Sequence, residues 1–220
     1  MKTLTKYLNE KLIINKDYKD VYTCAPKTFN ELRKIIEDRY NKLGPGTKNN
    51  PIDFNDVDVS NIDSFCNNND NGIFQKTEFK YIDISYWNVS NIKSMRSMFV
   101  SCHNLESVGD LSDWNVSNVV FMDNMFNDCN QLKYVGDLSD WNVSNVRSMS
   151  YMFIDCKQLK SVGDLSNWNI SKVEDMTSMF ESCKQLKSVG DLSNWNVSRV
   201  KYMSAMFYCS GITNIPKWYK

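Results

Sequence analysis

Tryptophan, methionine, phenylalanine and cysteine fall at fixed intervals along most of the chain. Trp87, Trp114, Trp141, Trp168 and Trp195 are 27 residues apart each time. Phe99, Phe126, Phe153, Phe180 and Phe207 keep the same period, as do Cys102, Cys129, Cys156 and Cys183, with Cys209 one residue early. One unit reads Leu-x-x-Val-Gly-Asp-Leu-Ser-x-Trp-Asn-Val-Ser-x-Val-x-x-Met-x-x-Met-Phe-x-x-Cys. A period of this size marks a repeat architecture. It is too short for a propeller blade or an ordinary helix pair. It predicts one short strand, two turns and one short helical segment per unit. No unit can bury its apolar residues alone, so neighbours must stack.

The pieces can be placed within the unit. Leu132-Lys133-Tyr134-Val135 predicts a strand, with equivalents at 105–108, 159–162 and 186–189 forming one parallel sheet. Gly136-Asp137 ends it, the glycine through its permissive φ and the aspartate through an Asx-turn. Ser117, Ser144, Ser171 and Ser198 then precede helical spacing. Val173, Met176, Met179 and Phe180 would share one helical face, and Ser171 with Glu174 reads as a capping box. Two degenerate units flank the regular ones. Val57-Asp58-Val59-Ser60-Asn61-Ile62 is the first, followed by the inserted loop Asn67–Gly72. The last ends at Ile212-Thr213-Asn214-Ile215-Pro216, with Trp218 as a lid on the final turn. Ahead of the repeats, Thr28-Phe29-Asn30-Glu31 is a capping box, and Leu32, Ile35, Ile36, Tyr40 and Leu43 continue as a helix that Gly44-Pro45 stop. This divides the chain into an amphipathic segment at 1–20, a helical cap at 21–50 and the repeats at 51–220.

The Phe-x-x-Cys-x-x-Leu-x-x-Val core and the Trp-Asn-Val-Ser-Asn-Val-x-x-Met-x-x-Met-Phe segment resemble BspA-like leucine-rich repeats, in the variant common in bacterial surface lipoproteins. The resemblance covers about residues 52–215. It implies an α/β repeat: a right-handed leucine-rich-repeat solenoid with one short parallel strand and one short helical segment per turn, closed by an N-terminal helical cap. It also implies a non-enzymatic protein-binding module or a surface adhesin, with no catalytic residues to carry over. The chain departs from that pattern at its start. Charged residues are scattered through the first twenty positions, where a signal peptide has an apolar stretch, and Val21-Tyr22-Thr23-Cys24 lacks the small residues of a lipoprotein box. The expected location is therefore cytoplasmic. A second resemblance offers the virion instead. Met1-Lys2-Thr3-Leu4-Thr5-Lys6-Tyr7-Leu8-Asn9-Glu10 is similar to the capsid-targeting peptides of internal head proteins in some tailed phages, and Leu8-Asn9-Glu10 fits the pattern their proteases cut after.

Composition narrows the function classes. In 220 residues, 26 Lys/Arg balance 26 Asp/Glu, which argues against a protein devoted to neutralising phosphates. The expected partner is a protein and not a nucleic acid. The balance is uneven along the chain: residues 1–50 hold 11 Lys/Arg against 6 Asp/Glu, and the rest 15 against 20. No apolar run approaches a membrane span. A single histidine, His103, excludes any site needing two imidazoles. Beside Cys102 it makes the only catalytic-looking pair, in a slot filled by Lys or Asn elsewhere. No cofactor is expected, since no phosphate loop, dinucleotide fingerprint or nucleophile elbow is present.

Each ladder has two readings. The cysteines occupy inward positions and read as buried free thiols, although stacked units would also bring them within disulfide reach. Asp110, Asp137, Asp164 and Asp191 read as turn formers, with calcium between turns as the alternative. The tryptophan and phenylalanine columns read as core, with stacking platforms as the alternative. Lys133, Lys160 and Lys187 line up with Glu106 and Tyr134 at the strand start. These five residues, Glu106, Lys133, Tyr134, Lys160 and Lys187, are the candidate partner-binding face for an acidic surface. The alternative there is a solvated face whose lysines discourage edge pairing.

Overall fold

The computed structural model describes residues 22–219. The segment 1–20, with its proposed targeting peptide and cleavage point, lies outside them. Among the described residues, one α-helix, α1 (Phe29–Leu43), precedes the repeats. Thr28 caps it, its hydroxyl accepting from the Glu31 N–H (3.2 Å) while the Glu31 carboxylate accepts from the Lys27 N–H (2.7 Å). Gly44, at φ 74°, ends it with an N–H bond to the Tyr40 carbonyl. Leu32 and Ile36 face the repeats and are fully buried, and Tyr40 meets Phe79 edge-on at 5.1 Å. Arg39 grips Asp56 with both terminal guanidinium nitrogens and lies over Phe54 at 5.0 Å. Burial pushes the Asp56 carboxyl up, but hydrogen bonds from Arg39 and Thr23 outweigh it and hold the group below its usual range.

The rest contradicts the expected α/β leucine-rich-repeat solenoid. Regular structure after α1 amounts to two parallel two-residue strands, β1 (Ile52–Asp53) and β2 (Ile82–Asp83), and one 3-10 turn at Leu192–Asn194. Most of residues 51–219 are turns and irregular backbone joined by isolated bridges. The predicted strands at 105–108, 132–135, 159–162 and 186–189 do not form a sheet. Only Tyr81, Ser107 and Tyr134 are bridged in that column, and the Lys160 N–H reaches the Lys133 carbonyl at a long 3.4 Å. The cause is local: the Leu132 N–H turns back to the Cys129 carbonyl (3.0 Å), and Gly136, at φ 98°, begins the next turn. One or two residues are left to pair.

The predicted helical segments are also absent. A helix would send each N–H four residues back. Instead Met176, Ser178, Phe180 and Ser182 donate to the carbonyls of Tyr202, Ser204, Met206 and Tyr208 in the next repeat, at 2.8–2.9 Å. The N–H groups between them close short turns, as Met179 does to Met176 (3.3 Å). Two left-handed residues per repeat make this possible: Ser97 and Ser101, Asn124 and Asp128, Tyr151 and Asp155, Ser178 and Ser182, all between φ 52° and 61°. None is glycine, so each carries a steric cost on the order of 1 kcal/mol, offset by the bonds to the next repeat. The Ser171–Glu174 pair is therefore not a capping box. The Ser171 N–H donates to Asn169 Oδ1 (3.2 Å), and the Glu174 N–H to the Arg147 carbonyl (2.7 Å).

Side chains carry the stacking that the backbone leaves open. The indoles of Trp114, Trp141, Trp168 and Trp195 lie parallel at 6.4–6.5 Å, and Trp218 stacks on Trp195 at 6.2 Å. Each indole N–H donates to a carbonyl of the preceding repeat, as Trp141 does to Leu111 (2.9 Å) and Trp218 to Leu192 (2.8 Å). Phe99, Phe126, Phe153 and Phe180 form a second stack at 5.1–5.9 Å. Both columns are core. The cysteine column beside them is buried from Cys102 to Cys183, and each thiol donates to the phenylalanine carbonyl of the repeat before, as Cys129 does to Phe99 (3.1 Å). Burial pushes the Cys183 thiol up to about 12, and those of Cys129 and Cys156 well above the usual range. Cys209 is exposed. A thiol reagent at mildly alkaline pH is expected to label Cys209 in the native chain, and Cys129, Cys156 and Cys183 only as fast as the protein unfolds. Mass mapping of the labelled sites over time checks this. Labelling of the buried column at the rate of Cys209 would mean the repeats open locally.

Candidate functional site

The expected partner face is only partly as the sequence suggests. Lys133 is ion-paired to Glu106, and the Tyr81 hydroxyl donates to the same carboxylate. The Lys133 and Tyr81 bonds hold the Glu106 carboxyl below its usual range. The charge of Lys133 is thus met within the chain, and the Lys187 ammonium turns to the Lys184 carbonyl (3.1 Å). Lys160 is exposed. Tyr134 is 46 % exposed, with its hydroxyl pKa raised by partial burial and then by the Asp110 and Asp137 carboxylates. The intervening serines are committed to turns: Ser107, Ser161 and Ser188 accept from the N–H groups of Gly109, Gly163 and Gly190 (3.2 Å each).

The aspartate ladder is likewise occupied. Asp110, Asp137, Asp164 and Asp191 each accept from a serine N–H two residues on, at 2.9–3.1 Å. Each of the first three also packs where a Cβ on the glycine of the next repeat would stand. Cys102 and His103 diverge. The Cys102 thiol donates to the Phe74 carbonyl (2.9 Å), while the exposed His103 ring sits 3.4 Å from the Asp128 carboxylate.

A different face gathers unpaired charge. Asn91, Asn118 and Asn145 occupy one column, and each amide donates to a serine carbonyl of the preceding repeat, at 2.7–2.8 Å. Lys172 takes the next position and donates to Asn145 Oδ1 (2.7 Å). Two residues further on in each repeat lie Lys93, Val120 and Arg147. Their backbones are joined directly, Val120 N–H to Lys93 carbonyl and Arg147 N–H to Val120 carbonyl, both 2.8 Å. Between the two columns runs a groove of about 430 Å³. Three cations line it. Arg147 is paired loosely to Glu174 (3.4 Å), and among the described residues no carboxylate pairs with Lys93 or Lys172. This face is not the one expected from the sequence. Its signal was present at the x positions of Asn-Val-Ser-x-Val-x-x-Met, which read Asn91, Asn118, Asn145, Lys172, Arg199 and Lys93, Val120, Arg147, Glu174, Lys201 down the stack.

A larger depression of about 690 Å³ lies between the start of α1 and the inserted loop. Of its two cations, Lys27 and Arg96, the second is committed: Arg96 lies over Phe121 at 3.9 Å and pairs with Asp123 at 2.9 Å.

Two overlapping stretches of the chain, 47–162 and 133–218, match a family model described as Mycoplasma protein of unknown function, DUF285. No curated protein and no solved structure matches the chain. No helix among the described residues is long and apolar enough to cross a membrane.

Proposed function

The chain belongs to the family described as Mycoplasma protein of unknown function, DUF285, a description that names no activity, and we propose that it is a non-enzymatic module binding an acidic protein surface along the Lys93–Lys172 groove. The observation that carries this is the spacing of Lys93, Arg147 and Lys172 over a backbone bonded from repeat to repeat. A backbone held this way needs little further ordering when a partner arrives, so the cost is confined to the rotamers of the side chains themselves. Charge matching of this kind acts mainly on encounter rate and specificity, and it weakens with salt. The interleaved asparagines and Val120, with Glu174 alongside, suit a protein surface better than a continuous phosphate backbone.

The test is a titration with a polyglutamate peptide at low and high salt, beside duplex DNA of equal length. The double variant Arg147→Glu, Lys172→Glu is expected to weaken peptide binding at least tenfold at low salt, while Lys160→Glu on the opposite row leaves it unchanged. Tighter binding to DNA than to the peptide would overturn the reading. Loss of binding with Lys160→Glu alone would return the site to the Tyr134 face.

A further inference from the structure

The two ends of the stack differ in their backbone chemistry. In every internal repeat, four alternate N–H groups of the Met-x-x-Met-Phe-x-x-Cys stretch bond to the next repeat, as Met176, Ser178, Phe180 and Ser182 do. In the last repeat the same positions are Met203, Ala205, Phe207 and Cys209. Among the described residues their N–H groups have no acceptor. Ala205 and Cys209 keep the left-handed backbone, at φ 55° and 54°, that aims these groups along the stack in the earlier repeats. At the other end the complementary edge is closed. Arg33 on α1 donates to the carbonyls of Ile73 (2.7 Å) and Gln75 (3.4 Å). Those two carbonyls stand where Met98 and Val100 accept from Phe74 and Lys76 one repeat later.

An edge with a regular row of unsatisfied donors is a template for another chain. A second copy of this chain fits it poorly. Two such edges face to face offer donors to donors, and the acceptor edge of a copy is already taken by Arg33. The charge of the last repeat narrows the partner. No carboxylate side chain follows Asp191, whereas Arg199, Lys201, Lys217 and Lys220 do. Lys201 is paired to Glu174, while among the described residues Arg199 and Lys217 have no carboxylate partner. Tyr202 and Tyr208 beside the edge are 62 % and 65 % exposed.

We infer that the terminal edge at Met203–Cys209 takes up an acidic segment of another polypeptide in extended form, its carbonyls accepting from the alternate N–H groups. The tyrosines flank the seated segment and the cations meet its carboxylates. This goes beyond the groove reading and uses other residues, so either can fail alone.

The experiment is residue-resolved amide exchange on the full chain, with an end-blocked octapeptide of alternating Glu and Val as the probe. In the free chain, the amides of Ser178 and Phe180 are expected to be protected, and those of Met203, Ala205 and Cys209 to exchange freely. Added peptide is expected to slow the latter three at least tenfold. The Lys/Val analogue is expected to leave them unchanged. Arg199→Glu with Lys217→Glu should abolish the slowing, while Arg147→Glu with Lys172→Glu should not. Protection of the three amides in the free chain would show the edge to be covered already and would overturn the inference. So would no slowing with the acidic peptide, or equal slowing with the basic one. Loss of slowing only in the Arg147, Lys172 variant would place the peptide in the groove and overturn the edge assignment.

Discussion

Trp141→Ala is expected to destabilise the chain by about 3–5 kcal/mol, the range for removing a large buried aromatic. The indole is 3 % exposed and lies between Trp114 and Trp168, parallel to both at 6.4–6.5 Å. The neighbouring rings cannot close the gap, because each is tied by its own N–H to a carbonyl one repeat back, at 3.3 Å for Trp114 and 2.8 Å for Trp168. The Leu111 carbonyl also loses one of its two donors, keeping only the Trp114 N–H (3.1 Å). Urea denaturation followed by circular dichroism reads this as a fall in midpoint at unchanged slope. Trp218→Ala removes a ring stacked on one indole only and just partly buried at the end of the column, so its loss should be clearly smaller. Equal losses at the two positions, or under about 1 kcal/mol at Trp141, would mean that the column is not a continuous core.

Gly72→Ala should cost about 3 kcal/mol, at the upper end of the range for overpacking a tight site. A Cβ on Gly72 would stand 1.8 Å from the Ser97 carbonyl oxygen, 2.3 Å from its carbon and 2.8 Å from the Met98 Cα. All three are backbone atoms. They can retreat only by breaking the Phe74 N–H bond to Met98 (2.9 Å) and the Lys76 N–H bond to Val100 (2.9 Å), which join the first repeat to the second. The φ of Gly72 is not in the left-handed range, so the loss reports close approach and not conformational strain. Gly44→Ala provides the contrast. Its Cβ meets nothing within 4 Å, but its φ is 74°, so it pays only the left-handed penalty, on the order of 1–2 kcal/mol. Thermal denaturation of the two variants side by side separates the mechanisms. A Gly72→Ala midpoint above that of Gly44→Ala would show that the inserted loop is free to move off the second repeat.

The helix before the repeats was legible because its signals are local. Thr28, Glu31 and Gly44 act within a turn of the backbone they cap, and Leu32 and Ile36 share one face by spacing alone. Within the repeats the same reasoning misfires for Val173, Met176, Met179 and Phe180. Their spacing suits a helix, but two left-handed residues per turn aim the intervening N–H groups at the next repeat. A residue scale gives only a partial hint of this: Asn124, Asp128 and Asp155 are types that tolerate a left-handed backbone, but Ser97, Ser101, Tyr151, Ser178 and Ser182 are not. The charge of the candidate binding face changes on folding for a related reason. Lys133, Lys160 and Lys187 line up in sequence, but Glu106 stands in the same column and claims Lys133, and that pairing exists only once repeats are superposed.

By itself the sequence determined the period, the identity of the buried columns and the turn chemistry of each Gly-Asp. These follow from hydrophobic spacing and from short-range bonds such as Asp137 to the Ser139 N–H (3.0 Å). Only the tertiary structure decided where the backbone N–H groups go. Each one must find an acceptor, and a neighbouring repeat can supply it as well as the residue's own helix. That choice replaced helices and a sheet with linked turns. Among the described residues it also left Lys93 and Lys172 without an acidic partner over their groove, and the N–H groups of Met203, Ala205, Phe207 and Cys209 without an acceptor.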